Sequence, residues 1–404
     1  MTPRRRVRLA GWTLIVLAPI LLFGLIEGGV RLFDIQPSID REAALPVWLD
    51  RNILVKESRW IDLLSGSPKD LRNYYLTYRW DRYLFYRLQP NLDLAMTDIT
   101  APAQIRGRTR WVFHTNAKGF NTPDVIYEKP PGTFRIVTLG DSSTFGWGVD
   151  TDRIYPHVLR DLLSRRHPGR AIEVVNLGVC GYSSQQGRVL LRREALPYRP
   201  DVLVFSYGSN DYSLVPEPFD EVYERNLGWS GALREILNHS RAYQVYAALL
   251  AGRTGERARG SQEAPGAGGV LNVGPDKSRE NLIQMARFAD ERGIDPIFVT
   301  NCVPGDMSAP MREAASEKGV PLVDTEALLR ASIDGIRRGE RFGEELFYYR
   351  GLYGARMIEE FPWLAVYLTD ECHPNVIGHR ILAEALVPVV EATPSFERFA
   401  SVSP

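Results

Sequence analysis

The sequence predicts an α/β protein in which helices cover both faces of a mainly parallel, five-stranded sheet. Five short apolar runs occur from about residue 133 onward, and segments with a helical spacing of apolar residues lie between them. Continuous apolar strands that alternate with helices are typical of a parallel sheet buried on both faces. Ligands bind such sheets beyond the carboxyl ends of the strands, where this chain places its polar clusters.

The elements can be placed in order along the chain. A first strand is expected at 111–114, followed by a turn at 116–120. The five strands of the sheet are expected at 135–139, 172–176, 201–205, 296–300 and 320–324. Helices are expected at 279–292 and 376–392, and residues 252–269, rich in Gly, Ala and charge, indicate a surface loop inside an insertion.

Composition excludes several classes of protein. A length of 404 residues predicts two to three domains, and 44% hydrophobic with 24% charged residues is typical of a globular protein. The 49 basic and 49 acidic residues balance, which argues against a nucleic-acid partner. Three cysteines exclude a disulfide scaffold and a four-cysteine zinc site.

The N-terminus has the pattern of a membrane anchor. Arg4, Arg5, Arg6 and Arg8 precede the uncharged run 9–26, whose 18 residues are long enough to cross most of a bilayer core. By the positive-inside rule the arginines stay in the cytoplasm and the following chain is exported to the periplasmic side. We therefore expect residues 1–33 to be an uncleaved, single-pass transmembrane signal anchor. A cleaved signal peptide is the alternative, and it also places the folded part outside the cytoplasm.

Residues 34–130 form an accessory or stalk segment with many aromatic side chains. These could build a sugar-binding surface, but packing against the main domain is the favoured interpretation. The aromatic residues in question are Trp60, Tyr74, Tyr75, Tyr78, Trp80, Tyr83, Phe85 and Tyr86. A capped turn is likewise favoured over a substrate contact for His114 and Asn116.

Four polar clusters carry the chemistry. Gly140-Asp141-Ser142-Ser143 follows a strand and opens a helix, where backbone N–H groups can stabilise an oxyanion. The glycines of 176–181 let backbone N–H groups approach a ligand, and the cluster 208–211 offers the Asn210 side-chain amide. In the last cluster, Asp370 and His373 are spaced so that the carboxylate can orient the imidazole.

In this order the clusters resemble the four blocks of the SGNH (GDSL-type) hydrolase superfamily, and the flanking residues resemble its membrane-anchored bacterial branch. The resemblance implies a flavodoxin-like three-layer α/β/α domain at 131–395, with an insertion at about 213–278. It implies Ser142 as nucleophile, His373 as general base and Asp370 as its orienting partner. The oxyanion hole would consist of the Ser142 and Gly178 N–H groups and the Asn210 amide. Ser143 departs from the apolar residue frequent in the family, while the Gly-Asp-Ser register is intact.

The expected reaction is hydrolysis of an acyl ester, including O-acetyl esters, on a cell-envelope polysaccharide or lipid, with no cofactor. An O-acyltransferase with the same triad and a non-catalytic envelope binding protein remain alternatives. A metallophosphoesterase is disfavoured because the six histidines include no His-x-His pair. Cys302 and Cys372 are expected at the same end of the sheet, where a disulfide could form, although buried thiols are the favoured alternative.

Overall fold

The computed structural model describes residues 3–33, 35, 78–97, 110–215, 217–246, 270–300, 306–369 and 372–402. Several sequence predictions therefore fall outside the described residues. They concern Trp60, Tyr74, Tyr75, Cys302, Asp370 and the loop 252–269.

Eleven strands lie in the described part of the chain. They are β1 (Tyr78–Asp81), β2 (Phe85–Leu88), β3 (Asp93–Thr97), β4 (Arg110–His114), β5 (Thr133–Gly140), β6 (Ala171–Asn176), β7 (Val202–Ser206), β8 (Leu214–Val215), β9 (Val270–Leu271), β10 (Asp295–Val299) and β11 (Leu322–Val323). Five of them form the parallel sheet, in the order β11-β10-β7-β5-β6. The predicted five-stranded parallel sheet is confirmed, and its strand order is that of flavodoxin-like folds.

Helices connect and cover these strands. They are α1 (Pro3–Leu32), α2 (Ser142–Phe145), α3 (Tyr155–Arg166), α4 (Ser184–Leu190), α5 (Phe219–Leu227), α6 (Trp229–Leu237), α7 (241–246), α8 (Pro275–Asp290), α9 (Ala309–Lys318), α10 (Thr325–Arg337), α11 (Gly343–Tyr353), α12 (Ala355–Glu360), α13 (Val376–Glu391) and α14 (Pro394–Ser401). The expected helices at 279–292 and 376–392 correspond to α8 and α13.

Both faces of the sheet are buried. Successive side chains of a strand point to opposite faces, and β5 shows this directly. Its Val137 and Leu139 belong to one apolar cluster, which also contains residues of α4, α8 and α9. Its Phe134 and Ile136 belong to a second cluster, which contains residues of α3 and α13. The sheet is therefore the middle layer of three, as the apolar runs predict.

The accessory strands pack into the first of these clusters. β1 pairs with β2, and β3 pairs with β4, both antiparallel. Tyr78, Trp80, Phe85 and Tyr86 are buried there, as the packing interpretation expects.

The N-terminal run forms the helix α1, with Pro19 inside it. Among the described residues, no helix is long and apolar enough to cross a membrane.

Candidate active site

Ser142 lies at the junction between strand β5 of the parallel sheet and the short helix α2. Asp141 caps α2, since its side chain accepts a hydrogen bond from the Ser143 N–H at 3.0 Å. Gly140 is required immediately before this cap, because an added Cβ would lie 2.1 Å from Thr144 Oγ1 and 2.7 Å from the Ser206 carbonyl oxygen. As the first residue of α2, Ser142 keeps an N–H that a helix start leaves without an intrahelical partner.

The structure brings Ser142 and His373 together although they are 231 residues apart in the sequence. The distance between Ser142 Oγ and His373 Nε2 is 2.7 Å. His373 is 7% exposed, whereas Ser142 is partly exposed at the surface. In the tautomer with its proton on Nδ1, the imidazole accepts the serine hydroxyl hydrogen, which is the arrangement that makes a serine nucleophilic.

Asn375 holds the loop that carries His373. Its fully buried side chain accepts hydrogen bonds from the Ile377 and Gly378 N–H groups and so caps α13. The same side chain donates to the Leu364 and Tyr367 carbonyl oxygens at 3.2 Å. Asn375 is not among the residues predicted from the sequence, although an asparagine directly before a helical pattern is a recognised N-cap signal.

Asn210 follows β7, the neighbour of β5, so its side chain lies beside the start of α2. Its Nδ2 donates to Asp141 Oδ2 at 3.0 Å, and Ser209 Oγ donates to the same oxygen at 2.9 Å. A primary amide carries two hydrogens, so one of them is still available to a substrate oxygen. Asp141 thus links the nucleophile helix to the predicted oxyanion donor.

Gly178, the other predicted oxyanion donor, follows β6 and packs against α2. Its N–H donates to Asn176 Oδ1 at 2.9 Å, which uses the single hydrogen of that group inside the protein. An added Cβ would lie 2.4 Å from the Phe145 nitrogen and 2.6 Å from the Thr144 carbonyl carbon. The glycine is therefore needed for close packing against α2. Its role as an oxyanion donor stays a prediction.

The accessory segment contacts residues close to the site. The ring centroids of Trp147 and His373 are 6.4 Å apart. The ring centroids of Trp111, on β4, and Trp147 are 5.3 Å apart. Tyr86 of β2 donates its hydroxyl hydrogen to the Cys180 carbonyl oxygen at 2.7 Å, and the Tyr182 hydroxyl donates to the Tyr86 carbonyl oxygen. β4 thus packs against Trp147, which lies beside His373, and β2 is hydrogen-bonded to the loop that follows β6.

The remaining predicted residues lie elsewhere or stay untested. His114 faces Asp93 at the surface, and Asn116 caps its own turn by accepting from the Lys118 and Phe120 N–H groups. Asp370 and Cys302 belong to segments outside the described residues, so the orienting carboxylate and the cysteine pair stay predictions. Across the described ranges, no group of three or more His, Cys, Asp or Glu side chains could hold a metal ion.

The sequence matches the model of a known protein family. The model of the GDSL-like lipase/acylhydrolase family matches residues 138–381, which is more than half of the 404 residues. The chain belongs to this family. The resemblance seen in the four sequence clusters is thereby confirmed, and the protein is a hydrolase that acts on ester bonds. None of the curated proteins matches the chain.

Solved structures show a more distant similarity. The chain is similar to TesA at 16% identity and a TM-score of 0.37, covering 64% of this chain and 98% of TesA. A catalytic mutant of the acetylxylan esterase Axe2 from Geobacillus stearothermophilus matches at 15% identity and a TM-score of 0.37, covering 63% and 93% of the two chains. An α/β hydrolase enzyme from the metagenome of Lake Arreo, Spain, matches at 16% identity and a TM-score of 0.37, covering 65% and 97%.

Proposed function

We propose that this GDSL-family protein is a serine esterase in which Ser142 attacks the ester carbonyl and His373 is the general base. The observation that carries the proposal is the 2.7 Å distance between Ser142 Oγ and His373 Nε2. His373 takes the hydroxyl proton as Oγ bonds to the carbonyl carbon, and it then gives that proton to the departing alkoxide. Water repeats the sequence on the acyl-enzyme and regenerates the serine.

The oxyanion that forms in each step lies beside the start of α2. The Ser142 N–H and the second hydrogen of the Asn210 amide are its proposed donors, since Asp141 holds Asn210 at this position. One such donor contributes roughly 3–4 kcal/mol of transition-state stabilisation. Asp370 is proposed as the carboxylate that orients His373 through Nδ1.

The adjacent serines give a matched test of the nucleophile. A fluorophosphonate probe should label the wild-type protein, and Ser142→Ala should abolish both labelling and turnover of a soluble acetyl ester. Ser143→Ala should keep both, because Ser143 is buried and contributes its backbone N–H, which alanine retains. Undiminished ester turnover by Ser142→Ala would refute the assignment. Equal loss in the two variants would show that α2 is only a structural element.

The substrate is proposed to be an acyl ester carried by a cell-envelope polysaccharide or lipid outside the cytoplasm. Support comes from the arginine cluster before the uncharged run 9–26 and from the resemblance to membrane-anchored relatives. Fusions to the C-terminus should be active with a periplasmic reporter, and activity only with a cytoplasmic reporter would contradict export. Product analysis on acetylated glycans and lipid esters distinguishes the two carriers. Acyl transfer to an added glycan in place of water would make the protein a transferase.

A further inference from the structure

The helix α6 presents an apolar face to its surroundings. Trp229, Leu233 and Ile236 are 80%, 47% and 71% exposed. Residues at positions i, i+4 and i+7 lie on one side of a helix, so the three side chains form one continuous face, called here the α6 face. A surface helix surrounded by water normally turns such a face toward the protein core.

The opposite side of α6 is the one that contacts the protein. Gly231 packs so closely there that an added Cβ would lie 1.8 Å from the Asn226 carbonyl oxygen. The Arg234 guanidinium lies over the Trp80 ring at 4.9 Å, and Glu235 pairs with Arg82 at 3.8 Å. The protein therefore contacts α6 on the side of Gly231 and Arg234, while the three apolar side chains of the α6 face point away from it. Such a face is expected where the outer surroundings are apolar.

The segment that follows α6 is attached to the N-terminal helix. Glu27 of α1 accepts hydrogen bonds from the Ser240 hydroxyl at 2.7 Å and from the Arg241 and Ala242 N–H groups at 3.0 and 2.8 Å. Arg31 of α1 donates to the His239 carbonyl oxygen at 3.1 Å. These contacts join residues 239–242, directly after α6, to the helix whose uncharged run predicts a membrane anchor. α1 itself exposes apolar side chains just before Glu27.

We propose that the α6 face docks onto the surface of a lipid bilayer. An amphipathic helix binds there with its apolar side buried about 5–10 Å into the boundary between headgroups and acyl chains. Tryptophan is enriched at this depth, which suits Trp229 as the outermost residue of the face. The bilayer is the occupant favoured over a second copy of the chain because residues 239–242, directly after α6, are hydrogen-bonded to α1, and the inference rests on the proposed membrane anchoring of α1. The docking does not depend on the ester chemistry of Ser142.

Site-specific crosslinking in the full-length protein tests the docking. Position 229 is replaced by the photo-crosslinker p-benzoylphenylalanine, and the protein is placed in vesicles of phosphatidylethanolamine and phosphatidylglycerol. The matched control carries the crosslinker at Phe347 of α11, which has the same exposed fraction of 80%. Lipid adducts, measured by mass spectrometry, should be at least ten times more abundant at position 229.

Three crosslinking results would overturn the proposal that the α6 face docks onto a bilayer. Equal lipid adducts at both positions would show general contact with lipid, and an absence of lipid adducts at 229 would show that the face does not reach the bilayer. Adducts to a second copy of the chain would assign the face to self-association. The double variant Trp229→Ser/Ile236→Ser should lose hydrogen-exchange protection of 229–237 in vesicles while it hydrolyses a soluble ester as fast as wild type. A failure of the esterase proposal would instead appear as lost turnover with lipid contact intact.

Discussion

Asp141→Asn is expected to reduce stability and turnover together, because this buried carboxylate connects the nucleophile helix to Asn210. It receives hydrogen bonds from the Ser143 N–H at 3.0 Å, Ser209 Oγ at 2.9 Å and Asn210 Nδ2 at 3.0 Å. Asparagine is as good an N-cap as aspartate, so its amide oxygen can keep the bond to Ser143. Its amide nitrogen then faces two donors.

The two donors respond differently to that exchange. The Ser209 hydroxyl can turn and accept a hydrogen bond, whereas the Asn210 amide nitrogen can only donate. The variant therefore loses one hydrogen bond to a charged acceptor, which is worth about 1.5–3 kcal/mol of unfolding free energy. Because Asn210 is no longer held in place, kcat should fall by as much as about 10²–10³, the usual value of one oxyanion donor.

Urea unfolding and hydrolysis of p-nitrophenyl acetate measure the two effects. Ser209→Ala is the matched control, since it removes a donor from the same oxygen and leaves Asn210 bound to Asp141. It should cost about 1 kcal/mol and leave kcat within about threefold of wild type. The reasoning is refuted if Asp141→Asn unfolds at the wild-type urea concentration and turns over the ester at the wild-type rate.

Two further predictions concern glycine packing and acid stability. Gly178→Ala places a methyl group against the backbone of α2, so we expect a loss of about 1–3 kcal/mol in urea unfolding together with lower kcat. Gly351→Ala, where an added Cβ meets nothing within 4 Å, should be neutral or stabilising, and similar losses in both would contradict the packing argument. Burial and the nearby charge of His373 lower the pKa of His379 from 6.5 to about 3. As the pH falls, His379 is therefore protonated in the unfolded chain at a higher pH than in the folded protein. The contribution to stability is lost as pH falls below 6.5, by about 2 kcal/mol at pH 5, and His379→Asn should remove this part of the pH dependence in urea titrations at pH 7.5 and 5. An unchanged pH dependence in that variant would refute the assignment to His379.

The fold follows closely from local patterns in the sequence. Strands buried on both faces need continuous apolar runs, and all five runs match the observed strands within two residues at each end. The edge strand β11 is the shortest of the five, with two residues. The positions of Ser142, His373 and Asn210 were also predictable, since their clusters follow strands or open a helix.

Finer features of the site depend on which hydrogen-bond partners and distant segments meet in the fold, and a local sequence pattern does not contain this information. The spacing of 176–181 does not predict that the Asn176 side chain accepts a hydrogen bond from the Gly178 N–H. The hydrogen bond between Tyr86 and Cys180 joins segments that are 94 residues apart in the sequence, and no local sequence pattern predicts it. The outward apolar face of α6 was missed for the same reason, because helical periodicity does not say which side of a helix the protein occupies.

The long separation between Ser142 and His373 has a consequence for the timing of activity. Ribosomes add about 5–20 residues per second, so the 231 residues between the two side chains take roughly 10–45 s to synthesise. During that interval the nascent chain contains Ser142 without its proposed base. Hydrolysis by the proposed mechanism can begin only once the loop of His373 and the helix α13 that follows it have been made.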